Sequence, residues 1–221
     1  MLFLHGYLAS KETFYYQTEF FSRYFRVIAV DMTGFGESPP MKTPYSVSDY
    51  AEEIKRVIDE IGEEKIDVVA HSFGGRVLVK LLQTEKRIDK IVLTGSAGLK
   101  PRRGIKYYAK IFLFKVLSKF VKREKLKRFY SSDYLKLNEV MRESFKLIIK
   151  ENLIKEYSEI QNRTLLVFGK KDKETPLYMA KQMRKLIKNS ELVVLRKEGH
   201  FCFMENPTAF NGAVFSFLMR N

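Results

Sequence analysis

Val69-Ala70-His71-Ser72-Phe73-Gly74-Gly75 decides the fold. It joins a β-branched run, Ile66-Asp67-Val68-Val69-Ala70, to a stretch with helical spacing from Phe73 to Leu82. A serine at a strand-to-helix junction occupies a sharp turn that lifts its hydroxyl above the end of a sheet. Small residues two before and two after it let strand and helix approach closely. Here those positions hold Ala70 and Gly74. Glycine is usual at the first, and alanine is small enough to pass the same steric filter. A serine in an ordinary turn would lack this strand-and-helix context, so Ser72 reads as a nucleophile elbow.

Working outward, the same alternation of short apolar runs and helices continues on both sides. Upstream, Leu2-Phe3-Leu4 ends at His5-Gly6. A helix is predicted over Lys11 to Tyr24, with Phe14 and Phe21 among its apolar positions and Phe25 just beyond. A strand follows over Arg26 to Asp31. Val47 to Ile61 carries Ile54, Val57, Ile58 and Ile61 on one helical face, with Ser46 as N-cap, Asp49 three residues on, and Gly62 as the stop. Downstream, Ile88 to Thr94 holds a strand, Ile91-Val92-Leu93-Thr94. Thr164 to Phe168 and Leu192 to Leu195 are further strands, and Leu177 to Ile187 and Asn206 to Met219 are helices, the second with Pro207 in its first turn. Strands alternating with helices predict an α/β fold with a mostly parallel sheet of about six strands, covered on both faces. Leu99 to Tyr157 breaks the pattern. It has no strand-like alternation, and helical stretches are expected at Tyr107 to Leu117 and Arg142 to Ile149. The expected organisation is a first core part over 1–98, a helical insertion over 99–157, and a second core part over 158–221.

Composition bounds the class. The chain has 221 residues and is 45% hydrophobic, enough for one domain with a sizeable core. A single cysteine, Cys202, excludes an intramolecular disulfide framework and fits a reducing compartment. The start, Met1-Leu2-Phe3-Leu4-His5-Gly6, has no basic leader and no cleavable apolar region. No uncharged apolar run reaches the roughly 18–20 residues that span a bilayer. The expected location is therefore the cytoplasm. The net charge is +14, a balance that often signals nucleic acid, an anionic surface or acidic substrates. It is unevenly spread: residues 99–157 carry +11 and the rest of the chain only +3. No nucleic-acid recognition motif accompanies the charge, so that class is set aside.

A serine hydroxyl needs a base to take its proton, and the base needs a third group to hold its tautomer. There are three histidines. His71 adjoins the nucleophile, and its side chain should point away from the reaction face. His5 ends the first strand, where a structural role is expected. His200, in Lys197-Glu198-Gly199-His200-Phe201 after the last strand, is the natural base. The orienting acid should follow a late strand and precede the histidine. Asp172 in Phe168-Gly169-Lys170-Lys171-Asp172 does so, with Glu174 as a nearby competitor. Ser72, Asp172, His200 is the chain order that elbow serines of this kind use. A developing oxyanion needs donors. The N–H of Phe73, directly after the nucleophile, is one candidate, and the N–H of Tyr7 in the loop after the first strand is the second. Cys202 reads as a small buried residue, because no other base is placed for it. No metal-ligand spacing of histidine and cysteine occurs.

Together these residues resemble the α/β-hydrolase superfamily, in its large group of small single-domain serine hydrolases. His5-Gly6-Tyr7 is similar to the oxyanion loop, Asp31-Met32-Thr33-Gly34-Phe35-Gly36-Glu37-Ser38 to the D-x-x-G-x-G-x-S rim, and Ala70 to Gly75 to the elbow. Gly169-Lys170-Lys171-Asp172 is similar to the acid loop. Gly199-His200, followed by Glu205-Asn206-Pro207, is similar to the histidine loop. The resemblance covers nearly the whole chain. It implies hydrolysis of an ester, thioester, lactone or related acyl bond in a small-molecule substrate, without metal or organic cofactor. Epoxide and halide chemistry is disfavoured, because those members carry aspartate at the elbow. Carbon–carbon hydrolases keep the same triad and stay open as an alternative, as does a binding or sensory protein that keeps the fold without turnover. Relatives carry some twenty or more residues before the His-Gly loop, so the first strands of the sheet are expected to be missing. The insertion corresponds to the family's cap. Three readings of its charge stand: lysines turned to water around an aromatic stripe packed on the core, a basic lid with Phe112, Phe114 and Phe120 on an anionic lipid surface, or attraction of negatively charged substrates.

Overall fold

A computed structural model describes residues 1–102, 134 and 137–220. The expected helical stretch at Tyr107 to Leu117, and Phe112, Phe114 and Phe120, lie outside the described residues. Six strands form one all-parallel sheet in the order β2-β1-β3-β4-β5-β6. They are β1 (Leu2–Leu4), β2 (Ile28–Val30), β3 (Ile66–His71), β4 (Ile88–Thr94), β5 (Thr164–Gly169) and β6 (Ser190–Leu195).

Side chains alternate across each strand, so the apolar runs feed two cores. Leu2, Leu4, Val68, Ala70, Leu93 and Phe168 face one side. Helices α2 (Val47–Ile61), α3 (Phe73–Leu81) and α6 (Leu177–Leu186) cover them there. Phe3, Val69, Val92, Leu165 and Val167 face the other side, against Phe14 of a 3-10 turn (Lys11–Phe14), Phe21 of α1 (Tyr15–Phe21), and Phe210 and Phe217 of α8 (Pro207–Met219). Strands buried on both faces explain why the runs read as near-continuous hydrophobics.

The local signals hold in detail for α2. Ser46 accepts from the Asp49 N–H while the Asp49 carboxylate accepts from the Ser46 N–H, and Gly62 closes the helix at φ 72°. The helix expected over Lys11 to Tyr24 is instead the 3-10 turn followed by the two-turn α1. The Thr13 hydroxyl and N–H both bond the Ser10 carbonyl, which favours the tighter turn at the start. The strand expected over Arg26 to Asp31 is confined to Ile28–Val30, because its only neighbour, β1, pairs with it over three residues.

Within 99–157 the described helices are α4 (Glu139–Lys150), N-capped by Asn138, and α5 (Ile154–Glu159). The expected stretch Arg142 to Ile149 falls inside α4. The short α7 (Cys202–Glu205) precedes α8. Among the described residues, no helix is long and apolar enough to cross a membrane.

Candidate active site

Ser72 lies between β3 and α3 at φ 50°, ψ −106°, a backbone conformation that few non-glycine residues adopt. The turn is held by its surroundings. The Ser72 N–H donates to the Thr94 carbonyl of β4 at 3.1 Å, and the Ala97 and Gly75 N–H groups both donate to the Ser72 carbonyl. Behind it, α3 presses on β1. A Cβ at Gly74 would stand 2.4 Å from the Leu4 carbonyl oxygen, so this contact admits only glycine. Ala70 sits fully buried in β3 between Leu4 and Leu93, with no such collision to avoid.

His200 and Asp172 come from the loops after β6 and β5. The carboxylate Oδ2 of Asp172 lies 2.9 Å from Nδ1 of His200. A carboxylate can only accept, so Nδ1 carries a proton, and in the neutral ring the lone pair is on Nε2. Asp172 is buried and heavily hydrogen-bonded. Its Oδ1 accepts from the N–H groups of Glu174 and Thr175 at 2.8 and 2.9 Å, and its Oδ2 accepts from the Thr175 hydroxyl at 2.7 Å. Burial alone would raise its pKa. The bonds from His200 and Thr175, with the nearby imidazole, outweigh that and hold the carboxyl below the usual carboxylate range. Glu174, the competing acid, is exposed and contributes only its N–H.

The loop that carries His200 is pinned on both sides. Glu205 accepts from the Gly199 N–H at 2.6 Å, Asn206 donates to Glu198 at 2.9 Å, and His71 approaches the His200 carbonyl with Nε2 at 3.1 Å. That carbonyl can only accept, so His71 is protonated at Nε2, and among the described residues its buried Nδ1 has no partner. Burial first, then the neighbouring His200, pushes the His71 pKa down to about 3. His71 is therefore a neutral prop behind the His200 loop, its ring set against His200, Phe201 and Phe203. Among the described residues, the Ser72 hydroxyl makes no hydrogen bond to His200. Such contacts often close only when substrate is bound.

The loop after β1 lies over the elbow. A Cβ on Gly6 would meet Nδ1 of His71 at 2.9 Å and Cβ of Ser72 at 3.5 Å. His5 shapes this loop: its Nδ1 donates to the Gly6 carbonyl at 2.7 Å and its Nε2 accepts from the Met32 N–H at 3.1 Å. Among the described residues, the N–H groups of Tyr7 and Phe73 have no hydrogen-bond acceptor; Phe73 is the first residue of α3, where helix geometry supplies none. The Tyr7 and Phe73 rings meet edge-on at 5.4 Å. Cys202 is buried, 3.3 Å from the Thr94 hydroxyl, and burial pushes its thiol up to about 11, far from a thiolate nucleophile.

Thr175 and the propping role of His71 were not read from the sequence. The first had a signal: Asp172-Lys173-Glu174-Thr175 fits a turn in which an aspartate accepts from N–H groups two and three residues on. The second had none, since it depends on a bond spanning residues 71 and 200.

A family profile described as the alpha/beta hydrolase fold matches residues 1–116 and 99–207. An AB hydrolase superfamily protein of Bacillus subtilis is 28% identical over 98% of this chain and 90% of its own length. A 2-hydroxy-6-oxononadienedioate/2-hydroxy-6-oxononatrienedioate hydrolase of Escherichia coli is 28% identical over 89% of this chain and 77% of its own. An esterase from Exiguobacterium antarcticum superposes with a TM-score of 0.80 at 23% identity, covering 99% of this chain and 91% of that one.

Proposed function

Because the chain belongs to the alpha/beta hydrolase fold family, we propose that it is a serine hydrolase that cleaves a carboxylic ester or related acyl bond of a small-molecule substrate. The observation that carries this reading is the strained Ser72 elbow beneath the loop after β1, with the Asp172–His200 pair on the loops after β5 and β6. Ser72 Oγ attacks the carbonyl carbon as His200 Nε2 takes its proton. Charge gathers on the former carbonyl oxygen, where the Tyr7 and Phe73 N–H groups receive it. Asp172 holds the imidazole in the required tautomer and stabilises the imidazolium. His200 then passes the proton to the departing alcohol, leaving Ser72 acylated. A water molecule attacks the acyl carbon, gives its proton to His200, and releases the acid as the proton returns to Ser72. None of these steps asks for a metal or organic cofactor.

In this reading residues 99–157 form the cap, and the described part already lies against the site through Tyr7. The charge of +11 on that segment supports attraction of anionic substrates or contact with anionic lipid. The single cysteine supports a reducing, cytoplasmic setting.

A second reading, hydrolysis of a carbon–carbon bond, is supported by the Escherichia coli relative, whose name specifies a dicarboxylate substrate. Side-by-side assay of p-nitrophenyl esters and a vinylogous diketone dicarboxylate separates the two. Ester turnover abolished by Ser72→Ala is the expected result. Turnover confined to the diketone would move the assignment to the second reading, and ester turnover unchanged in Ser72→Ala would remove both. Adding anionic vesicles to the same assay tests the lipid contact, which an unchanged rate and no vesicle binding would rule out.

A further inference from the structure

One residue ties the loop after β1 to the inserted segment. The Tyr7 hydroxyl donates to the Met141 carbonyl of α4 at 3.0 Å. Its ring meets Phe145, one turn further along α4, at 5.3 Å, and meets Phe73 and Phe35 of the core at 5.4 and 4.9 Å. Two contacts one turn apart sense the position of α4 along its axis as well as its distance. Burial pushes the Tyr7 phenol well above its ordinary pKa, so it stays a proton donor at any working pH. Among the described residues, the backbone N–H groups of Tyr7 and Phe73, two of the residues in this contact, have no acceptor.

Helix α4 is also fastened away from the site. The Ser144 hydroxyl accepts from the Tyr45 N–H at 2.7 Å, and the Arg76 guanidinium donates to the Ile148 and Glu151 carbonyls at 3.1 and 3.2 Å. Removing the Tyr7 hydroxyl therefore leaves α4 docked and acts on the link itself.

We propose that Tyr7 is a positioning residue that couples the seating of α4 to the oxyanion donors. The proposal rests on the acyl-transfer reading of the site. With α4 in place the Tyr7 ring is fixed at both ends, and its own N–H and that of Phe73 are aimed at the oxygen where charge develops. With α4 displaced, the ring loses its outer anchor and Tyr7 stands on a loop whose next residue, Leu8, is at φ 58°. Donors of this kind act through preorganisation, so loosening one weakens transition-state binding more than substrate binding.

Tyr7→Phe tests this, since it keeps the ring and the N–H and removes only the hydroxyl. The expected result is a fall in kcat of about five- to tenfold, the worth of roughly one hydrogen bond, with KM within about twofold. Affinity for a trifluoromethyl ketone, whose adduct with Ser72 places an oxyanion in the hole, should fall in parallel. Affinity for the carboxylic acid product should not change. Phe145→Ala approaches the same contact from α4 and should give the same split. Active sites are counted by stoichiometric phosphonate labelling, so loss of folded protein is separated from loss of rate per site. A lowered melting temperature with unchanged kcat per site and unchanged ketone-to-product affinity ratio in both variants overturns the proposal. A wild-type protein inert towards esters would instead overturn the acyl-transfer reading beneath it.

Discussion

His71 donates from Nε2 to the backbone carbonyl of His200, so the imidazole beside Ser72 supports the loop that carries the other imidazole. This has a consequence for stability against acid. His71 has a folded-state pKa of about 3, against about 6.5 for an exposed histidine. Between those values the unfolded chain binds more protons, so stability rises with pH. The contribution is fully present above the unfolded pKa and is lost progressively as pH falls towards the folded one. Between pH 7 and 5 the loss is about 2 kcal/mol. His71→Gln, whose amide nitrogen can take over the donation, should flatten the dependence of urea midpoint on pH over this range. An equally steep slope in the variant would show that His71 is not its source.

Asp172→Asn should lower kcat by about a thousandfold or more, because an amide in that place no longer enforces Nδ1 protonation on His200. Thr175→Val keeps the Asp172–His200 contact and removes one of the bonds to the carboxylate. Its kcat should fall only about three- to tenfold. Steady-state rates on one ester, normalised to labelled sites, give the ranking. A Thr175→Val rate as low as that of Asp172→Asn would mean Thr175 contributes more than orientation.

The floor of the elbow contains a contact that can be tested by compensation. A Cβ at Gly75 would fall 1.9 Å from Oγ of Ser96, itself bonded to the Tyr157 hydroxyl at 2.9 Å. Gly75→Ala should destabilise the fold by about 1–3 kcal/mol through overpacking. Ser96→Gly in the same chain should recover part of it. Gly74→Ala meets the main chain of β1 and should find no such rescue. Denaturant midpoints of the single and double variants provide the check, and additive losses would exclude direct contact.

Arg76 anchors the end of α4 by donating to two main-chain carbonyls, while Lys80 on the next turn of α3 pairs with Glu151 and Glu156. Arg76→Met should cost about 1.5–3 kcal/mol, the range for hydrogen bonds made by a charged group. It should also raise hydrogen exchange in α4 more than in β3. Uniform change across the two elements would point to a global effect.

The sheet was legible because its central strands, β1, β3, β4 and β5, are buried on both sides, which leaves apolar runs that turn residues delimit. β3 and α2 appear in the structure within a residue or so of their sequence-based spans, and β4 begins three residues before the expected Ile91. The split at Phe14 was not legible, since it depends on hydroxyl competition within one turn. The short α5 and α7 gave no periodic signal of their own. Asp172 and His200 were found by elimination among few candidates and by chain order, and their 2.9 Å contact follows from two neighbouring strands delivering their loops to the same edge. The tie between Tyr7 and Met141 spans 134 residues and joins a hydroxyl to a main-chain carbonyl, a pairing that no spacing rule encodes.

The strand order also sets a timetable. β1 and β3 bring Tyr7, Ser72 and Phe73 together within the first third of the chain, while Asp172 and His200 arrive on β5 and β6, which join the sheet only through β4. A nascent chain thus carries Ser72 for well over a hundred residues of synthesis before His200, the base of the proposed reading, exists. In the proposed acyl-transfer reading, the serine hydroxyl has no base to take its proton until then, and the β4–β5 pairing is what joins the two halves of the site in one sheet.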